Sequence, residues 1–321
     1  MTDPLGFYPS GRRRPSWASL PAELRDRFVD SLAGSVSVVK ATTQPGGFTS
    51  GAAAVLSLTD GSRVFVKAVL ASDEMADAYR YEARIASQLP AHLPVPTFRF
   101  AIEAGGWVLS CFDAVDGRLP SVPWRDRELA TVLEAMGELS ASLTPSPLSE
   151  IPSIAEAPQA DFAVWQALAE TGSIGALTVD LLPALAQRRV DELAELEKQW
   201  PAEVVGDSLV HFDMRSDNML IDAADKVWFV DWSWPCVAAP WVDLATFLPT
   251  VDRDARSLDA LFCANRASKS VSEIGCNGFL AWLAGFWLAL SVAEPLPHAP
   301  AIRKHQGICG LRALEWLQER V

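Results

Sequence analysis

The stretch L-V-H-F-D-M-R-S-D-N-M-L-I-D-A-A-D-K-V-W-F-V-D, residues 209–231, decides how this chain is read. It holds two apolar runs, 218–221 and 227–230, joined by a polar turn at 222–226. That pattern predicts a β-hairpin whose short strands are each flanked by a carboxylate. Asp213 and Asn218 precede the first strand and Asp231 ends the second. Folding the hairpin back brings Asn218 and Asp231 together, giving oxygen ligands suited to a hard cation such as Mg²⁺. Asp213 stays in the preceding loop, where a carboxylate is placed to accept a proton.

Working outward, residues 35–69 have the texture of strands. An Asp60-Gly61 turn separates the apolar runs 53–58 and 64–69, a strong hairpin signal. The loop 46–51, with Gly46, Gly47 and Gly51, lies between two predicted strands rather than opening a helix. This excludes a Walker A site and leaves a glycine turn whose backbone N–H groups can approach phosphate oxygens. Val64-Phe-Val-Lys67 ends the next strand, and Glu82 lies fifteen residues on, in a predicted helix over 73–89. A second hairpin, 98–102 with 107–112, runs into a polar, Gly- and Pro-containing stretch at 113–120, where a lobe boundary is expected.

These residues together resemble the protein-kinase fold, and most closely the aminoglycoside phosphotransferase (choline-kinase-like) family. The match rests on His211-x-Asp213-x4-Asn218, Asp231-Trp-Ser233 and Pro240-Trp-Val-Asp243-Leu-Ala245. Five residues from Asp213 to Asn218 and thirteen more to Asp231 is the spacing of the kinase catalytic loop and its metal-binding Asp. The resemblance implies an α+β bilobal fold, with a β-rich N-terminal lobe over 21–112, a mainly helical lobe over 113–321, and an arm at 1–20. It implies phosphoryl transfer from ATP or GTP to the hydroxyl of an aminoglycoside-like antibiotic or a related small molecule. Asp213 is then the catalytic base, Asn218 and Asp231 hold Mg²⁺, and Lys67, paired with Glu82, holds the α- and β-phosphates. Gly46 and Gly47 cover the phosphates, and the backbone around Ser110 and Phe112 meets the adenine edge. Asp243, suited to cap the helix it begins, braces the catalytic loop in the family. A non-catalytic nucleotide-binding module would lack Asp213, Asn218 or Asp231, and all three are present.

Composition narrows the partners. A net charge of −13 over 321 residues argues against nucleic acid, which needs a clustered basic face. Residues 128–210 carry 14 Asp and Glu against 3 Lys and Arg, read either as solvated helix faces or as a wall that attracts a cationic acceptor. A neutral acceptor (a sugar, nucleoside or amino alcohol) is the alternative. The five cysteines have no paired spacing, consistent with reduced thiols and a cytoplasmic protein. The apolar window 278–293 is short for a bilayer span and predicts a core helix, so no membrane is expected. Helices are expected over 127–143, 160–170, 179–200 and 302–320. Only eleven residues separate Asp231 from Asp243, which leaves little room for a peptide platform and disfavours a protein substrate.

Overall fold

The computed structural model describes residues 14–44, 51–157, 161–251, 257–296, 299 and 301–321. Gly46 and Gly47 of the predicted glycine turn lie outside the described residues, as does most of the expected N-terminal arm. Five strands form one antiparallel sheet: β1 Val38–Thr43, β2 Ala52–Leu58, β3 Arg63–Leu70, β4 Phe98–Ala104 and β5 Trp107–Asp113. Their spatial order is β1-β2-β3-β5-β4. Gly61 (φ 84°) and Gly106 (φ 76°) turn the two predicted hairpins in the left-handed region, where a Cβ is penalised.

Strand alternation sorts β3 and β5 between two faces. Val64, Val66 and Ala68, with Leu109 and Cys111, pack in a buried cluster with Leu24 and Phe28 of helix α1 (Ala22–Asp30). Leu24 and Phe28 are four residues apart and so share one side of that helix. Val69 and Val108 pack on the opposite face, against Ala76 and Tyr79 of helix α2 (Ala76–Ala86). Lys67 stands between Val66 and Ala68, so its side chain goes to the α2 side. At Gly51 a Cβ would lie 2.2 Å from the Ala68 carbonyl oxygen, so the entry into β2 requires glycine.

The hairpin predicted from residues 209–231 forms as Met219–Asp222 paired with Val227–Phe229, with Met219 opposite Phe229. The Asp222 carboxylate organises its turn, accepting N–H bonds from Ala224 (2.8 Å) and Lys226 (3.0 Å) and from the Trp228 indole (2.9 Å). A short strand, β6 (Gly117–Arg118), pairs with Ile221 and Asp222. The Phe229 N–H donates to the Pro94 carbonyl at 2.8 Å. By contacts, Asp217–Trp234 therefore belongs to one compact unit with the residues up to Pro120. This differs from the expected sequential division at 112/113, because a later stretch of chain returns to pair with β6.

The other unit comprises Ser121–Ser216 and Pro235–Val321. Its helices are α3 Asp126–Ser142, α4 Val164–Thr171, α5 Ala184–Gln187, α6 Val190–Glu197, α7 Trp200–Glu203, α8 Val242–Phe247, α9 Leu258–Ala264, α10 Glu273–Ser291 and α11 Ile302–Arg320. The long helix expected over 179–200 is instead broken into a 3₁₀ turn, α5, α6 and the start of α7. Pro183 and Pro201 explain two of the breaks, since proline lacks an N–H and is tolerated only in a helix's first turn. Helix α10 begins where Ser272 Oγ accepts the Gly275 N–H at 2.8 Å. Among the described residues it is the one helix long and apolar enough to cross a membrane, and 67% of that apolar window is buried inside the protein. Helices α11, α4, α6 and α7 pack around it. Gly278 and Gly285 permit the close approach, because a Cβ there would meet the Leu196 carbonyl oxygen at 2.9 Å and the Trp165 indole nitrogen at 2.7 Å.

Candidate active site

In the sheet-containing unit, Lys67 is 8% exposed and its ammonium lies between two carboxylates. It forms ion pairs with Glu82 of α2 and with Asp231, the latter at 2.9 Å. The Tyr79 ring centre lies 4.9 Å from the same nitrogen. Burial alone would lower the Lys67 pKa, but Asp231 and Glu82 outweigh it and hold the ammonium above its ordinary value. Burial pushes the Glu82 carboxyl up to about 7, while Lys67 pulls it back. Glu74, also within the predicted 73–89 span, precedes the helix's first residue.

Asp231 has φ 67°, a left-handed conformation that Asp tolerates better than most residues. The Ser233 hydroxyl donates to its Oδ1 at 2.7 Å, a contact the sequence did not announce. The Asp231 side chain is 43% exposed, so the carboxylate is held by Lys67 and Ser233 yet open to solvent. Asn218 is buried, and its carbonyl accepts the Val230 N–H at 3.0 Å. The hairpin thus brings Asn218 to the residue before Asp231, as its pattern predicts.

Ser110 and Phe112 require a correction. Both stand inside β5 with partners on each side, Ser110 opposite Lys67 and Ala101, and Phe112 opposite Phe65 and Phe98. A strand interior to an antiparallel ladder has its N–H and C=O groups committed to its neighbours. The bonds continue through the Asp113 and Ala114 N–H groups, which donate to Thr97 and Arg63. The Ser110 hydroxyl lies on the Lys67 side of the sheet, fully buried and without a hydrogen-bond partner.

In the helical unit, the loop around Asp213 is fixed by Asp243. Its two carboxylate oxygens accept the backbone N–H groups of His211 and Phe212, each at 2.8 Å. Asp243 therefore braces the loop rather than capping α8, whose N-cap residue is Trp241. Burial raises the Asp243 pKa, and the two N–H bonds oppose that shift. Fully buried His211 accepts the Asp213 N–H at its Nδ1 (3.3 Å), and Asp213 forms an ion pair with Arg215. Replacing Asp243 by Ala strands two N–H donors and is expected to lower stability by about 2–4 kcal/mol. Denaturant unfolding checks this, with Asp243→Asn expected to lose less because one acceptor remains.

Phe212 occupies φ 62°, an uncommon conformation for a bulky side chain. Such a residue costs on the order of 1–3 kcal/mol relative to an unstrained one. Its ring stacks on Trp282 of α10, with centroids 6.3 Å apart and planes 14° apart. An aromatic pair contributes about 0.5–1.5 kcal/mol beyond area burial. No sequence signal announced either the backbone conformation or the ring contact.

Among the described residues, no group of three or more His, Cys, Asp or Glu is arranged to hold a metal. The donor chemistry of Asn218 and Asp231 suits Mg²⁺, which takes few protein oxygens and completes its shell with phosphates and water.

The geometry is that of a kinase-like phosphotransferase, and comparison gives the family. The chain belongs to the phosphotransferase enzyme family (APH), which matches residues 46–270 and transfers phosphate to hydroxyl acceptors. No curated protein sequence matches it. Spectinomycin phosphotransferase APH(9)-Ia, solved with ADP and spectinomycin, is similar in structure (TM-score 0.60, 9% identity, 93% of this chain and 98% of that one). So is the choline kinase LicA from Streptococcus pneumoniae (TM-score 0.61, 13% identity, 92% of this chain and 98% of that one). APH(3'')-Id from Streptomyces rimosus is similar at a TM-score of 0.51, with 20% identity over 76% of this chain and 90% of its own. At these identities the likeness shows the fold, a five-stranded antiparallel sheet followed by a mainly helical region.

Proposed function

We propose that this protein transfers the γ-phosphoryl group of ATP or GTP to a hydroxyl of a small-molecule acceptor. The observation that carries this reading is the buried Lys67 ammonium, held between Glu82 and Asp231 from distant parts of the chain. Lys67 binds the α- and β-phosphates, and Glu82 fixes its position. Asn218 and Asp231 would hold Mg²⁺, which would supply positive charge against the phosphate oxygens. Asp213 orients the acceptor hydroxyl and takes its proton as the new O–P bond forms and the bond to the nucleoside diphosphate breaks. Arg215, already paired with Asp213, supplies a positive charge to the γ-phosphate.

Two acceptor classes remain from the sequence: a cationic, aminoglycoside-like molecule and a neutral metabolite. Much of the acidic charge in 128–210 is solvated, and Glu192 and Glu195 are paired on the surface with Arg189 and Lys198. This favours the neutral class. The test is a mass-spectrometric screen of hydroxylated molecules with ATP and with GTP, followed by a salt series on any acceptor found. A neutral acceptor should keep its KM from about 0.1 to about 1 M salt, which shortens screening from about 10 to about 3 Å. A KM that rises steeply with salt would return the choice to the cationic class.

A further inference from the structure

We propose that Phe212 determines acceptor specificity, its ring forming a platform for an acceptor that carries a flat ring beside the reacting hydroxyl. The inference rests on reading Asp213 as the group that receives the acceptor's proton. Consecutive Cα atoms stand about 3.8 Å apart, so an acceptor hydroxyl at Asp213 brings the rest of the molecule within reach of the neighbouring side chain. That side chain is a phenyl ring on a backbone conformation that glycine adopts without strain. Partial burial and stacking on Trp282 offset the strain, and the half-buried ring keeps surface for a further flat partner.

The ring also belongs to a larger row. Trp282 stacks on Phe286 (5.5 Å, 11°), and Phe286 meets Phe162 edge to face (5.3 Å, 84°). Trp282 is buried, whereas Phe212 and Phe286 are half-buried and Phe162 is 36% exposed. A buried ring therefore supports partly open ones, starting at the residue next to Asp213. Aromatic faces favour flat partners through offset stacking, a preference that a methyl substituent cannot satisfy.

The probes are a matched pair, 4-nitrophenyl galactoside and methyl galactoside, titrated calorimetrically into the wild type, Phe212→Gly and Phe212→Asn. Both replacements suit the left-handed backbone and lack the ring. The wild type should bind the aryl glycoside about tenfold tighter or more, and in both variants that preference should shrink to about twofold. ADP affinity should be unchanged. Equal binding of the two glycosides by the wild type, or an undiminished preference in the variants, would overturn the proposal. If Phe212→Gly fails to fold, Phe212→Asn decides. Because binding is measured without turnover, absence of phosphoryl transfer in a separate assay would count against the kinase reading and leave the platform standing or falling on these titrations.

Discussion

Asp231→Ala should reduce phosphoryl transfer by about 10³-fold or more, the loss expected when several kcal/mol of metal-assisted charge stabilisation disappears. The partners of Asp231 include Lys67 and Ser233, and its side chain is 43% exposed. The substitution therefore removes a ligand and a counter-charge without opening a cavity in the core. Glu82 remains to hold Lys67, so the thermal midpoint should stay close to that of the wild type. Transfer rate and unfolding measured on the same preparation separate these effects. Wild-type turnover in the variant would remove Asp231 from the mechanism.

Asp213→Asn should lower kcat by about 10²–10⁴-fold while nucleotide affinity holds, because the amide keeps the shape and cannot accept the proton. The loop itself should persist, since Asp243 holds it through the backbone N–H groups of His211 and Phe212 rather than through the Asp213 side chain. Single-turnover rates with saturating nucleotide, alongside ADP titration, give the answer. A loss confined to KM for the acceptor would make Asp213 a binding residue only.

What was legible in the sequence follows physical period. The hairpins of the five-stranded sheet and the 219–229 hairpin were readable because alternating or apolar runs were broken by Asp-Gly, Gly-Gly or charged turns. Lys67 and Glu82 were readable because a motif fixed their spacing, and the fold brings them together. The 179–200 region misled because apolar spacing continued through Pro183 and Pro201, where a helix must restart. Ser110 and Phe112 were misplaced because a sequence does not reveal which backbone groups a ladder has already used. Phe212 and Trp282 were invisible as a pair: they are seventy residues apart, and the left-handed backbone at Phe212 has no glycine to signal it.

Helix α10 also has a consequence for biosynthesis. Its apolar surface is covered in part by α11, which the ribosome makes only after α10 is complete. At about 5–20 residues per second, α10 waits on the order of seconds for that partner. Until then its apolar surface has the earlier helices, chiefly α4, α6 and α7, to pack against. A chain ended after Ser291 should leave the surface that α11 covers exposed, and its soluble folded yield should fall below that of the full chain.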